Sequence, residues 1–122
     1  MSGADGILDD GVLEELAELG RELGEDVLGE VVNAFRKVAP GLLEEIGAAC
    51  QEGSFAGVSK AAHTLKGSSA QMGARRVAEV AREIEADARA ERADRLVALL
   101  ERCRNELAQA ESALSELLGA AA

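Results

Sequence analysis

A chain of 122 residues with 13 basic and 23 acidic side chains carries a formal charge of −10, which argues against nucleic acid or an anionic lipid surface as the main partner. A single proline, the absence of tyrosine and tryptophan, and only two aromatics, Phe35 and Phe55, leave a core of Leu, Val, Ile and Ala and favour helix nearly throughout. That length suffices for one domain with its own core, without disulfide or metal.

Residues Met1 to Asp10 are acidic and lack the basic and apolar regions of a secretory leader. No run of about 18 apolar residues follows that could span a membrane. A cytoplasmic protein with reduced thiols is expected, and Cys50 and Cys103 read as small buried hydrophobes because they fit no metal or redox spacing.

The first amphipathic piece is short: Val12, Leu13, Leu16 and Leu19, behind a cap at Asp9 or Asp10. Gly20 and Gly24 bracket a turn region, with Asp26 early in the next helix. A long stripe then runs through Leu28, Val32, Phe35, Ala39, Leu42, Ile46 and Ala49, in alternating steps of four and three that place it on one helical face. Pro40 interrupts it, at a cost of about 3 kcal/mol inside a helix. The stripe stays in phase on both sides, so one long helix kinked at Pro40 is expected. Gly53-Ser54 ends that helix, and Ser54 caps a second stripe of Phe55, Val58, Ala62, Leu65, Ser69 and Met72.

Gly73 stands where a helix end wants a left-handed residue. A third stripe holds Val77, Val80 or Ala81, Ile84 and Ala88, and a polar connection around Arg89 to Asp94 leads to a fourth: Leu96, Leu100, Cys103, Leu107, Ala110, Leu114 and Leu117. Short loops between long amphipathic helices imply antiparallel neighbours. The expected fold is all-α: an up-down antiparallel four-helix bundle with a short additional N-terminal helix. It forms one domain over residues 1–122, its core bundle spanning about 25–118.

The one histidine, His63, is the residue that calls for chemistry. It lies about 100° around the helix from Ala62, off the core stripe. Its helical neighbours are Ala56, Ser59, Lys60, Lys66, Gly67 and Ala70, four of them small. Gly67 costs about 1 kcal/mol relative to Ala inside a helix, so it reads as cleared ground beside the imidazole. From Gly53 to Ala78 there is no acidic residue, while Lys60, Lys66, Arg75 and Arg76 all fall in that stretch. Such a local positive field suits a phosphoryl group or an acidic partner surface. Ser68 and Ser69 do not make a hydrolase dyad with His63, since no orienting acid or oxyanion loop accompanies them. A metal site built on one histidine is equally ill supported.

The run Ala62-His63-Thr64-Leu65-Lys66-Gly67-Ser68-Ser69, followed by Met72-Gly73-Ala74, resembles the histidine phosphotransfer domain of phosphorelays, and the resemblance extends over the whole chain. It implies that His63 accepts a phosphoryl group from an aspartyl phosphate on a receiver domain and passes it to another receiver aspartate. It also implies that Lys66 steadies the phosphoryl oxygens and that Gly67 leaves room for the receiver. Glu85 stands where some members of that family carry a glutamine. A carboxylate there orients the imidazole N–H but repels a phosphate, and Arg89, one turn on, offsets the repulsion.

The resemblance implies a phosphoryl carrier without kinase or phosphatase activity of its own. It needs no resident cofactor, because the partner receiver supplies Mg²⁺. Partners would be receiver domains of response regulators or of a hybrid sensor kinase, meeting a monomer on the face of Ala56, Ser59, Lys60 and Ala70. The rival reading is a module of the same fold that acts on a receiver or another protein by binding alone, without phosphorylation.

Overall fold

The computed structural model describes residues 6–121, with side chains placed as far as residue 119. The first five residues of the acidic N-terminus lie outside the described residues. Five helices and no strand are found in the described part: α1 (Asp10–Leu23), α2 (Val27–Gln51), α3 (Phe55–Gln71), α4 (Arg75–Arg89) and α5 (Leu96–Ala121). Helices α2 to α5 pack in cyclic order, each against its sequence neighbour and α5 back against α2, while α1 lies against α2. This is the expected four-helix bundle with an additional N-terminal helix.

Local chemistry sets the helix starts. Asp9 is the cap of α1, its Oδ1 accepting from the Gly11 and Val12 amides at 3.0 and 3.3 Å. Asp26 caps α2 through the Gly29 amide at 3.0 Å, and Ser54 Oγ caps α3 through the Gly57 amide at 3.0 Å. These side chains satisfy amides that the first helical turn leaves unpaired. Helix α1 runs past Gly20 to Leu23 and ends on Gly24, at a left-handed φ of 70°. Gly20 serves a different purpose from the expected turn: a Cβ there would stand 2.5 Å from the Glu25 carbonyl oxygen, where the chain folds back into α2.

Gly73 combines a φ of +87° with close approach to Asp9, whose amide donates to the Gly73 carbonyl at 2.7 Å. That bond pins the start of α1 to the α3–α4 turn.

The core is the set of stripes read from the chain. Val32, Phe35, Ala39, Leu42 and Ile46 of α2 are buried against Val58, Ala62 and Leu65 of α3, with Val77, Val80, Ala81, Ile84 and Ala88 of α4 and Leu96, Leu100, Cys103, Leu107, Ala110 and Leu114 of α5. Helix α2 is continuous through Pro40, which sits on its exposed face. A carbonyl released there can turn to water, and this makes the proline tolerable. Arg36 ties α2 to α5, donating to Ser115 Oγ at 2.8 Å.

Three details depart from the stripes. Leu19 is 42% exposed and Leu117 is 39% exposed. Leu117 borders an open groove of about 260 Å³ between α1, α2 and α5, and Leu19 falls on the outer face of α1 beside the buried Gly20. Cys50 is only half-buried, lining a cavity of about 140 Å³ with Phe55 and Val97 at the other end of the bundle. Cys103 is fully buried, and burial foremost pushes its thiol up to about 12. Both cysteines are free thiols.

Candidate functional site

Helix α3 divides its surface between two tasks. Val58, Ala61, Ala62, Leu65 and Ser69 are buried, whereas Ala56, Lys60, His63, Gly67 and Ala70 are exposed on the opposite side, with Ser59 half-buried beside them. His63, whose side chain is 62% exposed, stands at the centre of the exposed row. A Cβ added at Gly67 would meet nothing within 4 Å. No packing within the chain requires a glycine there, so its helix penalty has no internal compensation. Lys60 is exposed and makes no ion pair among the described residues.

The other half of the site comes from α4. Glu85 points back at α3 with its side chain only 6% exposed. Its Oε2 lies 2.9 Å from His63 Nδ1 and 2.8 Å from an Arg89 guanidinium nitrogen, while Oε1 accepts from Lys66 Nζ at 2.8 Å. One buried carboxylate thus gathers the imidazole and both nearby cations. Burial alone would push the Glu85 carboxyl up. Hydrogen bonds from Lys66 and His63, together with the charges of Lys66 and Arg89, outweigh it and hold the carboxyl below the usual carboxylate range. An ionised carboxylate can only accept a hydrogen bond, so Nδ1 is the protonated nitrogen. With the proton on Nδ1, Nε2 is the nitrogen on the side of the ring away from Glu85.

Glu85 and Arg89 lie one helical turn apart on α4. The two are paired, yet Glu85 is buried and reaches across to α3. The acid-free stretch from Gly53 to Ala78 is therefore acid-free along the chain only. In space, α4 supplies the missing carboxylate, directly against the imidazole.

Asp87 was missed. Its side chain is 1% exposed and is held by Arg92 at 3.0 Å and by Arg95 at 3.0 and 3.1 Å, with the Arg92 amide on its carbonyl at 2.8 Å. Hydrogen bonds from Arg95 and then Arg92 hold its carboxyl below the usual range against the opposing effect of burial. This clamp fixes the end of α4, two residues from Glu85. The arginines at 89, 92 and 95, crowded just after an acid beside the Ala88 stripe position, were the available signal. Arg75 is exposed at the start of α4, and Arg76 approaches Glu106 at 4.0 Å rather than His63.

Chemically, the arrangement offers one oriented imidazole, two cations sharing its carboxylate partner and open space beside it. Among the described residues no cluster of His, Cys, Asp or Glu is built to hold a metal ion, and no described helix is long and apolar enough to cross a membrane.

Comparison with known proteins places this geometry in context. The sequence model of the Hpt domain matches residues 30–113. Among solved structures, histidine-containing phosphotransfer protein B (HptB) from Pseudomonas aeruginosa PAO1 is 29% identical at a TM-score of 0.82, the match covering 93% of this chain and 96% of that one. Histidine-containing phosphotransfer protein MtHPt2 from Medicago truncatula is 28% identical at a TM-score of 0.82, covering 93% of this chain and 78% of that one. Comparison with curated protein sequences gives no match.

Proposed function

The chain belongs to the Hpt domain family, and on that premise we propose that His63 is the residue on which it carries a phosphoryl group. Its role is histidine phosphotransfer in a phosphorelay, and the partners of such a domain are the receiver domains of two-component systems. It is a carrier rather than an enzyme with turnover of its own.

In the proposed cycle, Nε2 of His63 attacks the phosphorus of a receiver's aspartyl phosphate in line. The receiver contributes its acidic pocket and Mg²⁺, the usual clamp on a transferring phosphoryl group. Lys66 and Arg89 sit where they can turn from Glu85 toward the phosphoryl oxygens. Their charges also offset the repulsion a bare Glu85 would exert. Gly67, with Ala56, Ser59, Lys60 and Ala70 around it, forms the landing face for the receiver. The domain acts as a monomer and hands the group to a second receiver aspartate by the reverse chemistry.

The observation that carries this reading is the exposed ring whose Nδ1 is held by a buried carboxylate 2.9 Å away. A module acting by binding alone would have no use for an oriented ring nitrogen. The test is incubation with a phosphorylated receiver. Acid-labile, base-stable label on His63 is expected, and none in His63→Gln. Label that persists in His63→Gln, or wild-type protein that stays unlabelled across donors, overturns the assignment.

A further inference from the structure

We propose that Glu85 keeps the proton on Nδ1 of His63 through the whole phosphorylation cycle, so that the phosphoryl group always departs from a ring able to leave as neutral imidazole. The inference rests on His63 being the phosphorylated residue and concerns what that reading leaves open, the protonation of the ring while the group is held and released.

On the way in, the Nε2 lone pair forms the N–P bond as the P–O bond of the aspartyl phosphate breaks, and that electron pair returns to the aspartate. The ring now bears phosphorus on Nε2 and a proton on Nδ1, and so carries a formal positive charge. On the way out, the acceptor aspartate forms a new P–O bond, the N–P bond breaks and its pair returns to Nε2. If the Nδ1 proton has stayed, the departing group is neutral imidazole. If it has been lost to water, the departing group is an imidazolide anion, a far poorer leaving group. An imidazolium in water gives up its proton at roughly pH 6.5, so an unassisted phosphoimidazole would turn sluggish through the neutral range.

Glu85 is placed to prevent this. Its Oε2 is 2.9 Å from Nδ1, and its side chain is 6% exposed, which keeps water from competing for that proton. The charged groups facing the pair are Lys66 on α3 and Arg89 on α4, at 2.8 Å from the two carboxylate oxygens. No ion pair from α2 or α5 reaches Glu85 among the described residues. Before phosphorylation the two cations hold Glu85 ionised, and afterwards the positive ring itself faces that carboxylate. A glutamine in its place could accept the same hydrogen bond but could not balance that charge, so the identity of the side chain matters beyond its shape.

The experiment measures release from phospho-His63 to one Mg²⁺-loaded receiver between pH 6 and 8.5, for the wild type and Glu85→Gln. Their rate ratio at each pH cancels the receiver's own titration. The ratio is expected to hold a constant value near pH 6 and to fall against the variant by about tenfold per pH unit once its ring titrates. Parallel profiles overturn the proposal. A second measurement needs no variant: the ¹⁵N signal of Nδ1 in wild-type phospho-His63 should stay at its protonated position to pH 8.5, and a titration centred near neutrality overturns the proposal even if Glu85→Gln fails to fold. Failure of the underlying assignment looks different, because His63 would then carry no label at any pH.

Discussion

At Gly67 the balance between stability and access can be measured directly. The position is exposed, helical and free of any contact a Cβ would make, so Gly67→Ala should stabilise the fold by about 1 kcal/mol. Urea denaturation followed by circular dichroism checks this. Gly67→Gln should fold equally well yet slow transfer from a receiver by tenfold or more, because the added bulk stands beside the imidazole where the partner must approach. Unchanged transfer in Gly67→Gln would remove the steric account of this glycine. His63, Lys66 and Gly67 were legible because they lie within one short run on one helix. Glu85 was legible as a suspect but not as a buried one. It sits next to Ile84 on α4, and only the packing of α4 on α3 turns that edge inward, over the histidine.

Along α4 the acids at 83, 85 and 87 all hold basic partners, and Arg95 is shared by the first and the last. Glu83 pairs with Arg95 and Arg102, Glu85 with the α3 site and Arg89, and Asp87 with the connection to α5. Asp87→Ala removes the charge-assisted hydrogen bonds of Arg92 and Arg95, whose own side chains are mostly exposed, and should lower stability by about 2 kcal/mol, read from urea midpoints. The pH dependence follows in sign. Glu85 and Asp87 are both held below the usual carboxylate range in the folded state. The unfolded chain therefore binds protons first as pH falls. Their contribution is complete above the ordinary carboxylate range, about pH 4, and is lost as pH drops through their lower folded values. The stability gap between wild type and Asp87→Ala should accordingly narrow from pH 7 toward pH 2. Helix existence and inward faces were read correctly because apolar periodicity records them. The Asp87 clamp escaped because charge on a helix looks solvated until its partners are known, and here they come from a loop that has no periodicity to read.

Across the whole molecule, a chain of charge −10 presents Lys60, Lys66 and Arg89 around one imidazole. Lys60 is exposed and unpaired among the described residues, so Lys60→Glu should leave stability within about 0.5 kcal/mol while slowing association with a receiver's acidic pocket. The difference should shrink as salt rises from about 50 to 500 mM, because screening removes steering. Stopped-flow association rates decide it, and equal slowing at both salts would point to lost contact instead. The long proline-containing helix and the closing of α5 onto α2 were legible at this scale, since stripes kept in phase and short loops leave few arrangements. The gaps at Leu117 and Cys50 were not, because how completely two helix ends close depends on side chains that periodicity does not weigh. The two-sided character of α3 has a consequence for how such proteins diverge. Its inner residues answer to the core and its outer row answers only to whatever docks there. Ala56, Ser59, Lys60 and Ala70 can therefore be exchanged over generations with little effect on folding, and a duplicated copy could acquire a new receiver by changes on that row while keeping its bundle and its histidine.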